Sequence, residues 1–159
     1  MKIEKIETAV RIELPDGIPP ESYLDEAYSC LKDMDSYPSY MADVLRVKSK
    51  PLTANTSHVE WEAMVEDARF NWKQINTNDH ENRTIHFEMT EGDFELLDGQ
   101  WQVAANENLY SLRLNLRYAI GLPIIEEVLG PVLKRKMQTN SISMLSSIKK
   151  RIGENNGSA

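Results

Sequence analysis

The chain has 159 residues, a formal net charge of −7, 41% hydrophobic residues and 27% charged residues. That is enough chain for one domain with a real core, and too apolar a composition for a disordered segment. The negative balance argues against nucleic acid as the main partner, and no run of 18 apolar residues offers a membrane span. Met1-Lys2-Ile3-Glu4-Lys5 lacks an apolar signal core, and Cys30 stands alone, so a cytoplasmic protein without an intrachain disulfide is expected.

Lys5 to Leu14 alternates strictly, with Ile6, Thr8, Val10, Ile12 and Leu14 on one face, and predicts a half-buried strand. Pro15-Asp16-Gly17 and Pro19-Pro20 break it. A short helix is expected from about Glu21, its inner face made of Leu24, Ala27, Tyr28 and Leu31. Tyr37-Pro38-Ser39-Tyr40-Met41 reads as a loop or a second short helix. Strands then follow in series: Val44 to Leu52, Ser57 to Glu66, Arg69 to Asn76, Thr84 to Thr90, Phe94 to Ala104 and Leu109 to Tyr118. Turn residues separate them, and Gly99 suggests a bulge or sharp bend. Seven short strands with polar outer faces predict an antiparallel sheet wet on one side. The dry side needs a cover, and only the last stretch is long enough to supply one.

That stretch places Leu129, Leu133, Met137, Met144, Leu145, Ile148 and Ile152 at helical spacing. The main helix is expected to begin near Pro131, with proline at its first position, and to run to Ile152. Residues 1–153 form the expected domain, and 154–159 a flexible tail. In its middle the buried stripe turns soft and polar, through Met137, Asn140, Ser141 and Met144. Two thioethers, an amide and a hydroxyl suit the roof of a cavity better than a solid core. The expected class is therefore α+β, with a curved seven-stranded antiparallel sheet around a long C-terminal helix and two short helices after the first strand.

Local residues sharpen this. Tyr28-Ser29-Cys30-Leu31-Lys32-Asp33, then Tyr37-Pro38, then Met41-Ala42-Asp43-Val44, resembles the first-helix-to-second-strand signature of the START-like (SRPBCC, Bet v 1-like) polyketide cyclase family. Phe87, Gly92-Asp93-Phe94 and Gly99-Gln100-Trp101 resemble that family's fifth and sixth strands. Asn140, Met144, Ile148 and Arg151-Ile152 resemble its aromatase/cyclase branch. The resemblance implies a helix-grip fold and a cavity for a hydrophobic, often polycyclic or isoprenoid, molecule. It also implies aldol cyclisation and dehydration of a poly-β-ketone without a cofactor; the alternative is a non-catalytic carrier of a quinone, isoprenoid or lipid. One feature departs from the aromatase/cyclase pattern. An arginine is expected a few residues after Trp72, where this chain reads Lys73-Gln74-Ile75-Asn76.

Aromatic stripes at strand spacing are ordinarily core. The resemblance makes Trp61, Phe70, Trp72, Phe87, Trp101 and Tyr118 the expected lining, with Met137, Ser141 and Met144 from the helix. Gln74, Tyr37, Tyr40 and Asn140 are the candidate catalytic donors, because cyclisation needs groups that hold an enolate oxygen and move protons. His58, His80 and His86 have no metal spacing, so no metal site is expected. Two basic clusters, Lys134-Arg135-Lys136 and Lys149-Lys150-Arg151, lie 15 residues apart, about 60° around a helix. They are the expected docking patch for an acidic acyl carrier protein.

Overall fold

The computed structural model describes residues 2–65 and 67–157. The element order is β1 (Glu4–Ile12), α1 (Pro20–Lys32), a 3-10 turn (Met34–Ser36), α2 (Tyr37–Tyr40), β2 (Val44–Pro51), β3 (Thr56–Val65), β4 (Ala68–Asp79), β5 (Thr84–Gly92), β6 (Leu96–Asn106), β7 (Leu109–Ala119) and α3 (Pro123–Gly157). Seven strands form one curved antiparallel sheet in the order β1-β7-β6-β5-β4-β3-β2. This is the helix-grip fold, with α3 lying on the concave face.

The alternation read from the sequence sets which residues face α3. Ile6, Thr8 and Ile12 of β1, Val59, Trp61 and Val65 of β3, and Leu112, Leu114, Leu116 and Tyr118 of β7 are buried. From α3 come Met137, Ser141, Leu145, Ile148 and Ile152, at steps of three and four. Each fully buried Leu or Ile of that stripe contributes about 1.5–3 kcal/mol. Helix α1 closes one end with Tyr23, Leu24, Ala27, Tyr28 and Leu31. Arg83, at the tip of the β4–β5 hairpin, fastens that end by ion pairs to Glu21 (2.6 Å) and Asp25 (3.0 Å).

Several boundaries differ from expectation. Helix α3 begins at Pro123, one turn after the sheet ends, rather than at Pro131. Pro123 occupies the first helical position, and the Glu126 carboxylate accepts from the Gly121 amide at 3.1 Å. Pro131 sits inside the helix on a solvent-facing position, where water can take the carbonyl bond it forfeits. At the other end the helix continues through Gly157, so residues 154–157 are helical. Glu66, expected to end the third strand, lies outside the described residues, as do Ser158 and Ala159.

Gly99 is not a bulge, since its pairing with Phe87 and Leu116 runs in unbroken register. A Cβ there would lie 2.1 Å from the Asn115 carbonyl oxygen, so the glycine permits close passage of β7. The bulges fall instead in β2, between Val44 and Arg46, and where β5 passes Lys73 and Gln74.

Candidate functional site

A partly open, mostly apolar cavity of about 80 Å³ lies between the concave face and the middle of α3. Its wall brings together Trp61, Trp72, Gln74, Phe87 and Trp101 from the sheet with Met137, Asn140, Ser141 and Met144 from the helix. Strand pairing explains the aromatic side: Trp61 and Trp72 are direct partners across β3 and β4. Their rings stack 5.5 Å apart at 7°. Phe94 meets Trp72 edge-on at 5.9 Å and completes that corner.

Beneath the stacked pair runs a directional polar chain. The Trp72 indole N–H donates to Gln74 Oε1 at 2.8 Å. Gln74 Nε2 donates to Asn76 Oδ1 at 2.6 Å, and Asn76 Nδ2 reaches the Met34 sulfur at 3.3 Å. An indole can only donate, so it fixes which way the Gln74 amide faces, and Gln74 in turn fixes Asn76. Gln74 is 2% exposed, and its second amide hydrogen meets no acceptor among the described residues. Trp61 is 5% exposed, and its indole N–H likewise has no acceptor among them. A buried donor without a partner costs about 1–3 kcal/mol, so this wall carries unspent hydrogen-bonding capacity.

The opposite side is looser. Asp43, Met64, Asn140 and Met144 line the cavity and also reach solvent, which puts the mouth between the start of β2, the end of β3 and mid-α3. Among the described residues one hydrogen bond spans it, from Asn140 Nδ2 to the Met64 carbonyl at 2.9 Å. Ser141 turns its hydroxyl back to the Met137 carbonyl at 2.8 Å and offers the cavity little.

Four of the expected site residues lie away from the wall. Tyr37 is fully buried behind it, edge-on to Trp61 (5.9 Å) and tilted against Trp101 (5.8 Å). Its hydroxyl donates to the Leu31 carbonyl, so it supports the tryptophans rather than facing a ligand. Tyr40 stands beyond Tyr37 and carries the Arg151 guanidinium over its ring at 4.8 Å. Phe70 stacks on Phe94 at 4.9 Å, one layer out. Tyr118 opens onto a separate void of about 10 Å³ beside Glu4, Glu126 and Gly130. Burial pushes the Tyr37 and Tyr40 hydroxyls well above the ordinary phenol range, and that of Tyr118 to about 12. None of the three is poised for proton transfer near neutral pH.

Asp43 and Asn76 were missed in the sequence. Asp43 is the sole ionisable side chain among the described lining residues, but its segment reads as a strand lead-in with no chemical signal. Asn76 continues the Trp72, Gln74 alternation by one more step, and only its position in a turn-rich run obscured it. Among the described residues no group of three or more His, Cys, Asp or Glu is placed to hold a metal. No helix among them is long and apolar enough to cross a membrane.

The basic clusters are divided by the helix. Lys134 turns inward to Glu4 at 3.0 Å and Arg151 covers Tyr40, while Arg135, Lys149 and Lys150 are exposed.

The architecture is shared with solved structures at low sequence identity. TTHA0849 from Thermus thermophilus superposes with a TM-score of 0.84 at 21% identity, over 96% of this chain and 99% of that one. The Zhui aromatase/cyclase from a Streptomyces species superposes at 0.77 with 14% identity, over 97% and 96%. A START superfamily protein from Mycobacterium smegmatis does so at 0.74 with 11% identity, over 96% and 99%. No curated protein matches the chain in sequence. The model of the family described as polyketide cyclase / dehydrase and lipid transport matches residues 23–145, the span that builds most of the cavity wall, and the chain belongs to that family.

Proposed function

We propose that the protein is a cofactor-free polyketide cyclase or aromatase/cyclase that binds a linear poly-β-ketone under α3. The observation that supports this best is Gln74. It is a buried amide in an otherwise apolar wall, held in one orientation by Trp72 and Asn76, with a hydrogen left over for a carbonyl oxygen. In an aldol closure an α-carbon loses a proton and bonds to a carbonyl carbon further along the chain. The carbonyl oxygen takes a proton, and water then leaves to form the ring double bond. Gln74 and the free Trp61 indole N–H are the donors suited to the developing oxyanion. The Asp43 carboxylate at the mouth is the group able to accept the α-proton. The flat tryptophan pair would shape the folded chain.

The cavity of about 80 Å³ is smaller than the roughly 150 Å³ in which an engineered apolar cavity holds one benzene. A polyketide therefore needs the mouth to widen, which the unbranched Met137 and Met144 side chains and the single Asn140 bond permit. Burying about 300 Å² of ligand yields on the order of 7 kcal/mol gross. Association costs take back several kcal/mol of that, so delivery on a tethered acyl carrier protein would help. Lys149 and Lys150 are its proposed contact.

Reconstitution with a minimal polyketide synthase tests the reading: added protein should shift the products toward one cyclised species, and an unchanged profile rejects it. The absent arginine after Trp72 favours a second reading, a carrier of a quinone, isoprenoid or lipid. Native mass spectrometry of the purified protein would show such a ligand retained.

A further inference from the structure

Helix α3 is amphipathic in opposite senses at its two ends. From Leu133 onward the apolar side chains, Ile142 apart, face the sheet. Before it they face water: Ile124 is 78% exposed and Val128 67%, and Leu122, Ile125, Leu129 and Val132 are exposed beside them. The side toward the sheet in these first turns carries Glu126 and Gly130 instead. At about 100° per residue, Ile124, Ile125, Val128, Leu129 and Val132 form one outward stripe about 140° wide. With Leu122, these six adjoining aliphatic side chains make a contiguous exposed apolar patch, the kind of feature that marks an interaction site.

We propose that this stripe is the core of a two-fold interface with a second copy of the chain, the two helix starts packing antiparallel. A two-fold axis near Val128 and Leu129 lays each apolar stripe on the other. It also brings Arg135, on the same outward side, opposite the start of the partner helix. Glu95, exposed and with its side chain against Gly121, lies there. The patch is thus apolar at its centre and opposite in charge at its ends. An anionic membrane surface is the poorer occupant for a chain of net charge −7 with glutamates beside the stripe.

Sedimentation equilibrium over a broad concentration range tests this on the full chain. The unaltered protein should sediment as a dimer. Ile124→Glu with Val128→Glu should give a monomer with an unchanged far-ultraviolet circular dichroism spectrum, because both side chains already face water. Arg135→Glu or Glu95→Lys should each weaken self-association roughly tenfold. Mixing those two variants should restore a heterodimer, since a two-fold axis then pairs both sets of charges. A monomer at every concentration, a dimer untouched by the glutamates, or no recovery on mixing overturns the proposal. So does a monomer that floats with phosphatidylglycerol vesicles. Because none of these residues lines the cavity, the outcome is independent of cyclase activity.

Discussion

The two sides of the cavity are built differently. The sheet side is stiff: a stacked tryptophan pair, cross-strand register and a chain of amide bonds leave each group one position. The helix side is soft, with two thioethers and, among the described residues, one hydrogen bond across the mouth. Recognition sits where the backbone is fixed on both flanks, and access sits where one element can shift against another. On the proposed reading, the rigid side orients a carbonyl and the loose side lets a bulky molecule in.

That contrast can be broken or sharpened by substitution. The largest effect is expected at Trp61, where Trp61→Ala should cost about 3–5 kcal/mol in urea unfolding. Met144→Ala, on the soft side, should cost clearly less, and equal losses would erase the distinction. Gln74→Leu should come next, at about 1–3 kcal/mol, because Asn76 and the Trp72 indole lose their partner. The same variant should abolish the shift in cyclised product. Asn140→Leu removes only the bond to Met64 and should cost about 1 kcal/mol. Normal folding with lost turnover would tie Asn140 to the ligand, and normal turnover would leave it a packing residue.

A smaller effect is expected in base. Burial raises the Tyr28 and Tyr118 hydroxyls to about 12, so the folded state disfavours their ionisation. Their contribution is intact below the ordinary phenol value near 10 and is lost as pH rises toward about 12. Alkaline titration of the unfolding midpoint should show that decline. Tyr118→Phe should lessen it and cost little or nothing at neutral pH, since that hydroxyl has no partner among the described residues. Smallest of all, Lys149→Glu with Lys150→Glu should leave stability within about 0.5 kcal/mol. Carrier-protein affinity should fall, and an unaltered affinity would remove the clusters as a docking patch.

Period-2 patterning made the strands legible, because each strand of this sheet has one wet face. It revealed Trp61, Trp72, Gln74, Phe87 and Trp101 as inward-facing for the same reason. The tyrosines were harder. Tyr37 does point inward, yet one layer behind the wall, and depth is invisible to a pattern that records only direction. The start of α3 was harder still: Gly130-Pro131 has the form of a helix boundary, and the chain runs through it because the missing amide falls on the solvent side. Ile124 to Val132 keeps helical spacing while facing outward, so apolar periodicity alone could not say which way it points.

The chain has three tryptophans, Trp61, Trp72 and Trp101, and all three stand in the cavity wall. Its tryptophan emission, excited beyond the tyrosine absorption, is therefore a report from the cavity wall. A conjugated ligand entering there would quench all of that light, with no distant indole to dilute the signal. The near-parallel rings of Trp61 and Trp72 should also give a paired exciton band in circular dichroism, which vanishes when an intruding ring parts them. The protein carries its own binding assay, ready for any compound in a library, without a label.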